Sequence, residues 1–99
     1  MLTEWQEWIE ERWRKDDPGT TLLVNIAGLT GEAGEVAELV KKQSRDGRYV
    51  KSDMLLELGD VLHYLTAMSH RYGFTLEDIM EANMDKVNKR RANKDGFKG

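Results

Sequence analysis

The chain has 99 residues, no cysteine, 39% hydrophobic residues, and 15 Lys+Arg against 18 Asp+Glu for a net charge of −3. This length supports one domain, and the missing cysteine excludes a disulfide scaffold, thiol catalysis and Cys-ligated zinc or iron–sulfur sites. No apolar run approaches the roughly 20 residues of a membrane span, the acidic start Met1–Trp5 is unlike a basic signal-peptide leader, and mild net acidity argues against nucleic-acid binding. The expected setting is reducing cytoplasm.

Apolar residues recur at helical spacing nearly throughout, so the expected fold is all-α, a four-helix bundle-like subunit in one domain over 1–99. The first helix is expected over about 3–15, with Thr3 as N-cap and Leu2, Trp5, Ile9 and Trp13 as a stripe that Trp8 widens. Asp16-Asp17-Pro18-Gly19 reads as a break, because Pro18 disfavours α geometry at Asp17. The second helix runs from Thr20 or Thr21 to about Arg45, with Leu22, Ile26, Leu29, Ala33, Val36 and Val40 in line, and Asp46-Gly47-Arg48 as a turn. The third spans Ser52 to Arg71, capped by Ser52 or Asp53, with the stripe Leu55, Leu58, Leu62 and Leu65 flanked by Met54, Val61 and Met68. Gly73 suits a C-terminal cap. Thr75 and Asp78 form a capping-box pattern at the head of the fourth helix, whose stripe is Leu76, Ile79, Met80, Asn83 and Val87. Residues 85–99 carry a local charge of +4 and read as a basic tail that frays without a partner. A small core beside three tryptophans leads to the expectation that apolar surface is shared with a second copy.

Two acidic pairs stand out. Glu32 and Glu35 lie three apart on the second helix, with Glu38 a further step along, and Glu57 and Asp60 lie three apart on the third. Residues at that spacing share a helix side, so antiparallel packing of the two helices converges four carboxylates. Clustered carboxylates repel one another and call for cations, and an all-oxygen donor set suits Mg²⁺ or Mn²⁺. One Glu-x-x-Glu alone is ordinarily a solvated face; two pairs interleaved with apolar residues are harder to assign to surface. Interior helix glycine costs about 1 kcal/mol against alanine, yet Gly28, Gly31 and Gly34 crowd the second helix and Gly59 separates the acids of the third. Such violations mark functional sites or tight helix packing. Tyr64 lies one turn after Asp60, within reach of a carboxylate or a substrate hydroxyl. Asn83, Lys86 and Arg90 align on the fourth helix, and cations beside a carboxylate–metal site complement phosphate.

The segments GLTGEAGEVAELVKK (28–42), ELGDVLHYL (57–65) and EANMDKVNKRR (81–91) together resemble the MazG-like all-α nucleoside triphosphate pyrophosphohydrolases, relatives of the dimeric dUTPases and dCTP pyrophosphatases, over about Leu23–Phe97. The resemblance implies Mg²⁺ ligands at Glu32, Glu35, Glu57 and Asp60, phosphate or sugar contacts at Asn83 and Lys86, and a substrate-side tyrosine at Tyr64. It implies hydrolysis of (deoxy)nucleoside triphosphates to monophosphate and pyrophosphate, in a homodimer or homotetramer that cleanses the nucleotide pool. Gly31 stands where the family pattern has a first glutamate, which leaves open the number of ions and the water-activating base, with Glu35 or Glu38 as candidates. Two other readings remain at this point. One is a di-iron carboxylate bundle built on Asp60-Val61-Leu62-His63; the other is a non-catalytic helical interaction module.

Overall fold

The computed structural model describes residues 1–15, 17–47 and 51–94, apart from the side chain of Lys94. They form four helices, α1 (Leu2–Trp13), α2 (Pro18–Asp46), α3 (Lys51–Arg71) and α4 (Leu76–Lys94), with no strand among the described residues. Proline starts α2 rather than ending a segment. Pro18 occupies the first helical turn, where its missing N–H costs nothing, and the Asp17 carboxylate accepts the Thr20 N–H at 3.1 Å as N-cap. Gly19 therefore lies inside the helix. Thr3 is not a cap either: α1 starts at Leu2 after Met1, whose amino group pairs with Glu4 at 3.1 Å. Ser52 and Asp53 fall within α3, and the residue preceding Lys51 lies outside the described residues. Gly47 (φ 70°) closes α2 by donating its N–H to the Gln43 carbonyl, a left-handed geometry that favours glycine. The capping box holds: Thr75 N–H donates to Asp78 Oδ2 at 2.9 Å and Asp78 N–H to Thr75 Oγ1 at 3.0 Å. α4 continues to Lys94, well past the last residue of its apolar pattern, and 95–99 lie outside the described residues.

α2 and α3 form an antiparallel hairpin that is the body of the molecule, with Gly28 opposite Tyr64 and Glu32 opposite Glu57 and Asp60. α1 lies across the C-terminal half of α3. Ile9 is fully buried there, and two indoles tie the helices together: Trp5 Nε1 donates to Thr66 Oγ1 at 2.9 Å and Trp13 Nε1 to His63 Nε2 at 3.1 Å. α4 is anchored only at its head, where Leu76 is buried and its N–H donates to Gln6 Oε1 at 2.8 Å. From Met80 to Asn93 every residue is exposed.

The apolar stripes are displaced from where periodicity puts them. Of the expected stripe on α3, Leu55, Leu58 and Leu62 are exposed and Leu65 is half-buried, as is the flanking line Met54, Val61 and Met68. On α2, Leu22, Leu29 and Val36 turn inward and Leu23, Ile26 and Val40 outward. At about 100° per residue in an antiparallel pair, the outward lines of both helices fall on the same side of the hairpin, and Glu35 and Asp60 fall on the other. The hairpin thus has one apolar side and one acidic side. The surface is 7776 Å², against about 5,800 Å² for a compact monomer of this mass. The radius of gyration is 17.0 Å, against about 13 Å for a compact domain of 100 residues.

Ile9 is the main apolar pin of α1. Ile9→Ala is expected to destabilise the chain by about 2–5 kcal/mol, the usual cost of emptying a fully buried aliphatic site, read as a drop in the urea midpoint. A change under about 0.5 kcal/mol, the range of a surface substitution, would show that α1 is not docked in solution.

Candidate metal centre

Carboxylate oxygens of Glu32, Glu57 and Asp60 lie within 4.8 Å of one another on the α2–α3 seam. Glu32 and Glu57 are half-buried and Asp60 is exposed. Glu57 Oε2 is shut off from solvent and has no hydrogen-bond partner. The Glu32 carboxyl is pushed above its ordinary value of 4.5, first by partial burial, then by the adjoining Glu57 carboxylate and the charges of Asp60, Glu57 and Glu35. No cationic side chain is among these influences. Three carboxylates offering one hard oxygen each, one of them Glu57 with an unpartnered oxygen, fit a divalent cation of the Mg²⁺ or Mn²⁺ class. Glu32, Glu57 and Asp60 are the residues that would hold it.

The other expected site residues are placed differently. Glu35 is exposed outside the trio, close enough for its charge to raise Glu32. Glu38 is exposed, about 120° around α2 from Glu32, and its charge is felt by Arg45. Tyr64 is half-buried, its ring lying flat on Gly28 where a Cβ would overlap it. Close approach therefore explains Gly28. A Cβ at Gly31, Gly34 or Gly59 would meet nothing within 4 Å, so these three serve no packing inside the chain. Asn83, Lys86 and Arg90 are exposed on the part of α4 that leaves the bundle, and the chain does not itself bring them to the trio.

An aromatic box borders the trio. His63, one turn beyond Asp60, meets Trp5, Trp8 and Trp13 edge-on at ring-centre distances of 6.3, 5.7 and 5.9 Å, and Tyr64 at 5.2 Å. Burial and then the Arg12 charge lower His63 below its ordinary value, while Asp60 pulls the other way. Neutral His63 accepts the Trp13 N–H at Nε2, which leaves its proton on Nδ1. Sequence reasoning grouped the tryptophans as a stripe and did not connect them to His63. It also passed over Thr21 and Asn25, which stand in line with Gly28 and Glu32 at helical steps of four, three and four and are buried.

Comparison with known proteins places the chain in a family. The model of the MazG nucleotide pyrophosphohydrolase domain matches residues 20–94, three of the four helices and every acid of the site. The chain belongs to the MazG family. Two similar proteins are a Mycobacterium phage L5 protein, "Gene 37 protein", 36% identical over 69 residues, and Bacillus subtilis (strain 168) YvdC, an uncharacterised protein 28% identical over 107 residues. The first match covers 65% of this MazG chain and 60% of the phage protein, the second 91% and 95%. No solved structure matches.

Two measurements probe the seam of this MazG domain. The folded chain holds the Glu32 proton more tightly than the unfolded chain, so that contribution is complete below pH 4.5 and is lost as pH rises through the raised value. Without divalent cation, the melting temperature of the wild type relative to Glu32→Gln is expected to fall across that window, and Mg²⁺ to abolish the fall; a pH-independent difference would show that the trio is not coupled. Gly28→Ala is expected to cost about 1–3 kcal/mol by overpacking, whereas Gly34→Ala, in open space, is expected to gain up to about 1 kcal/mol of helix propensity. Equal effects in urea titrations would contradict the Tyr64 contact.

Proposed function

We propose that the chain is a Mg²⁺-dependent pyrophosphohydrolase of (deoxy)nucleoside triphosphates, with Mn²⁺ as a substitute ion, that returns unwanted nucleotides to monophosphate and pyrophosphate in the cytoplasm. The observation that carries this reading is the convergence of Glu32, Glu57 and Asp60 around a buried carboxylate oxygen with no partner, within a MazG domain. A bound divalent ion supplies neutralisation of phosphate charge and a water of lowered pKa. The chain's own contribution is positional, since phosphoryl transfer needs little covalent help. Glu32, Glu57 and Asp60 would hold the ion, which would face the polyphosphate end of the substrate. Glu35, exposed one turn from Glu32, is the first candidate to orient and deprotonate the attacking water, with Glu38 as the second. Tyr64 walls the seam between trio and aromatic box, and Asn83, Lys86 and Arg90 would supply phosphate contacts from the α4 of another copy in the assembly proposed below.

The unit is proposed to be a homodimer or homotetramer. The apolar side of the hairpin, with Leu23 70%, Ile26 50%, Leu55 71% and Leu58 51% exposed, supports this. So does the excess surface of about 2,000 Å² per chain, which lies within the range of obligate homodimer interfaces. Nucleic acid and membrane are not proposed as partners, and no helix among the described residues is long and apolar enough to cross a membrane. The di-iron reading is not favoured, because His63 accepts from Trp13 rather than joining the trio.

Asp60→Asn and Glu57→Gln are each expected to lower pyrophosphate release from a nucleoside triphosphate panel by more than about 100-fold, since even outer-shell groups of metal sites cost 10- to 100-fold. Circular dichroism is expected to stay unchanged, and full activity in either variant would sink the reading. Sedimentation of the wild type is expected to give a multiple of 11.4 kDa and that of Leu58→Glu a smaller mass; a wild-type monomer would contradict the proposed assembly.

A further inference from the structure

Among the described residues, the buried side-chain polar atoms without partners are Thr21 Oγ1, Asn25 Oδ1 and Nδ2, and Glu57 Oε2. Thr21 and Asn25 lie on the inner line of α2, and Glu57 faces Glu32 farther along the same seam. Other buried polar residues do not share this state: Thr66 Oγ1 donates to the Leu62 carbonyl at 2.7 Å and accepts from Trp5, and Ser69 Oγ donates to the Leu65 carbonyl at 2.9 Å. Asn25 is the extreme case, with 0% exposure and neither amide atom bonded. Leaving such groups unmade costs stability, and buried amides are ordinarily paired.

We propose that Asn25 is the residue that reads the nucleobase of the substrate, its Oδ1 and Nδ2 pairing with an adjacent donor and acceptor on the base edge. This rests on the pyrophosphohydrolase reading above. Seven residues separate Asn25 from Glu32, about 10 Å along the helix, which is the separation between the polyphosphate and the base edge of one nucleotide. A carboxamide presents one donor and one acceptor side by side, the pattern carried by the hydrogen-bonding edges of nucleobases. Thr21 adds a hydroxyl one turn farther, where a cleft of about 310 Å³ is lined by Ile9, Trp13, Thr21 and Ala67 among others. The seam is shut by the Tyr64 ring on Gly28, between Asn25 and Glu32, so the base enters as that ring swings aside. The unpaired amide is then a cost of the empty state that ligand binding removes.

The test is Asn25→Leu, near in volume and without polar atoms, beside Asn25→Asp, which keeps the shape and loses the donor. The ligands are non-hydrolysable α,β-methylene nucleoside triphosphates of different bases, and inorganic tripolyphosphate, each titrated calorimetrically with Mg²⁺. Asn25→Leu is expected to raise the melting temperature, to weaken every nucleotide at least tenfold, to flatten the ranking among bases, and to leave tripolyphosphate affinity unchanged. Asn25→Asp is expected to reorder the bases. A lower melting temperature in Asn25→Leu means a structural amide, and an unchanged base ranking in both variants means that the base is read elsewhere; either result overturns the proposal. If wild-type protein binds neither tripolyphosphate nor nucleotide, the hydrolase reading fails with it. Tripolyphosphate binding with no response to Asn25 substitution defeats this inference alone.

Discussion

The organisation of this chain follows from one electrostatic constraint, the packing of Glu32 against Glu57 and Asp60 on a helix–helix seam. Like charges at that range in a partly desolvated place disfavour ionisation, and the raised Glu32 is the direct consequence. A helix pair selected for stability alone would place aliphatic side chains there. Here the α2–α3 hairpin retains the repulsion, keeps Glu57 Oε2 unpaired and leaves Gly31, Gly34 and Gly59 with open space around them. These are local costs without a return among the described residues, and local costs of that kind tend to mark functional sites.

The rest of the fold can be seen as support for that seam. α1 seats on α3 through two indole N–H donors and Ile9, and brings the aromatic box against the end of the trio. The opposite side of the hairpin carries exposed leucines and isoleucine in continuous lines, and α4 projects from Met80 onward with no packing of its own. An isolated helix of this length is marginal in water, and both features are what the proposed self-assembly would cover. Acidic groups on one side and apolar surface on the other would let one helical hairpin serve the proposed catalysis and assembly without conflict.

Much of this was legible in the sequence. Helix number, the turn at Gly47, the Thr75–Asp78 box and the convergence of Glu32, Glu57 and Asp60, though not of Glu35, follow from periodicity and spacing, because backbone capping and helical phase are local properties. The errors were also physical in origin. Pro18 reads equally as a breaker or as a first-turn residue, and only the Asp17 cap decides between them. On α3 two apolar lines run side by side, and periodicity cannot say that Met54–Val61–Met68 turns inward while Leu55–Leu58–Leu62 faces out. The roles of His63 and Asn25 were hidden for a different reason: the Trp13–His63 bond spans 50 residues, and an unpaired amide is recognisable only once its surroundings are known.

The claim at the centre of this account is that the carboxylate seam positions a nucleoside triphosphate for cleavage between its α- and β-phosphates. The most direct measurement is ³¹P nuclear magnetic resonance of the products formed from a nucleoside triphosphate by the purified chain, with Mg²⁺ and with the ion chelated. The account predicts monophosphate and pyrophosphate in equal amounts, with no turnover under chelation. Diphosphate with orthophosphate, or turnover that survives chelation, would contradict it.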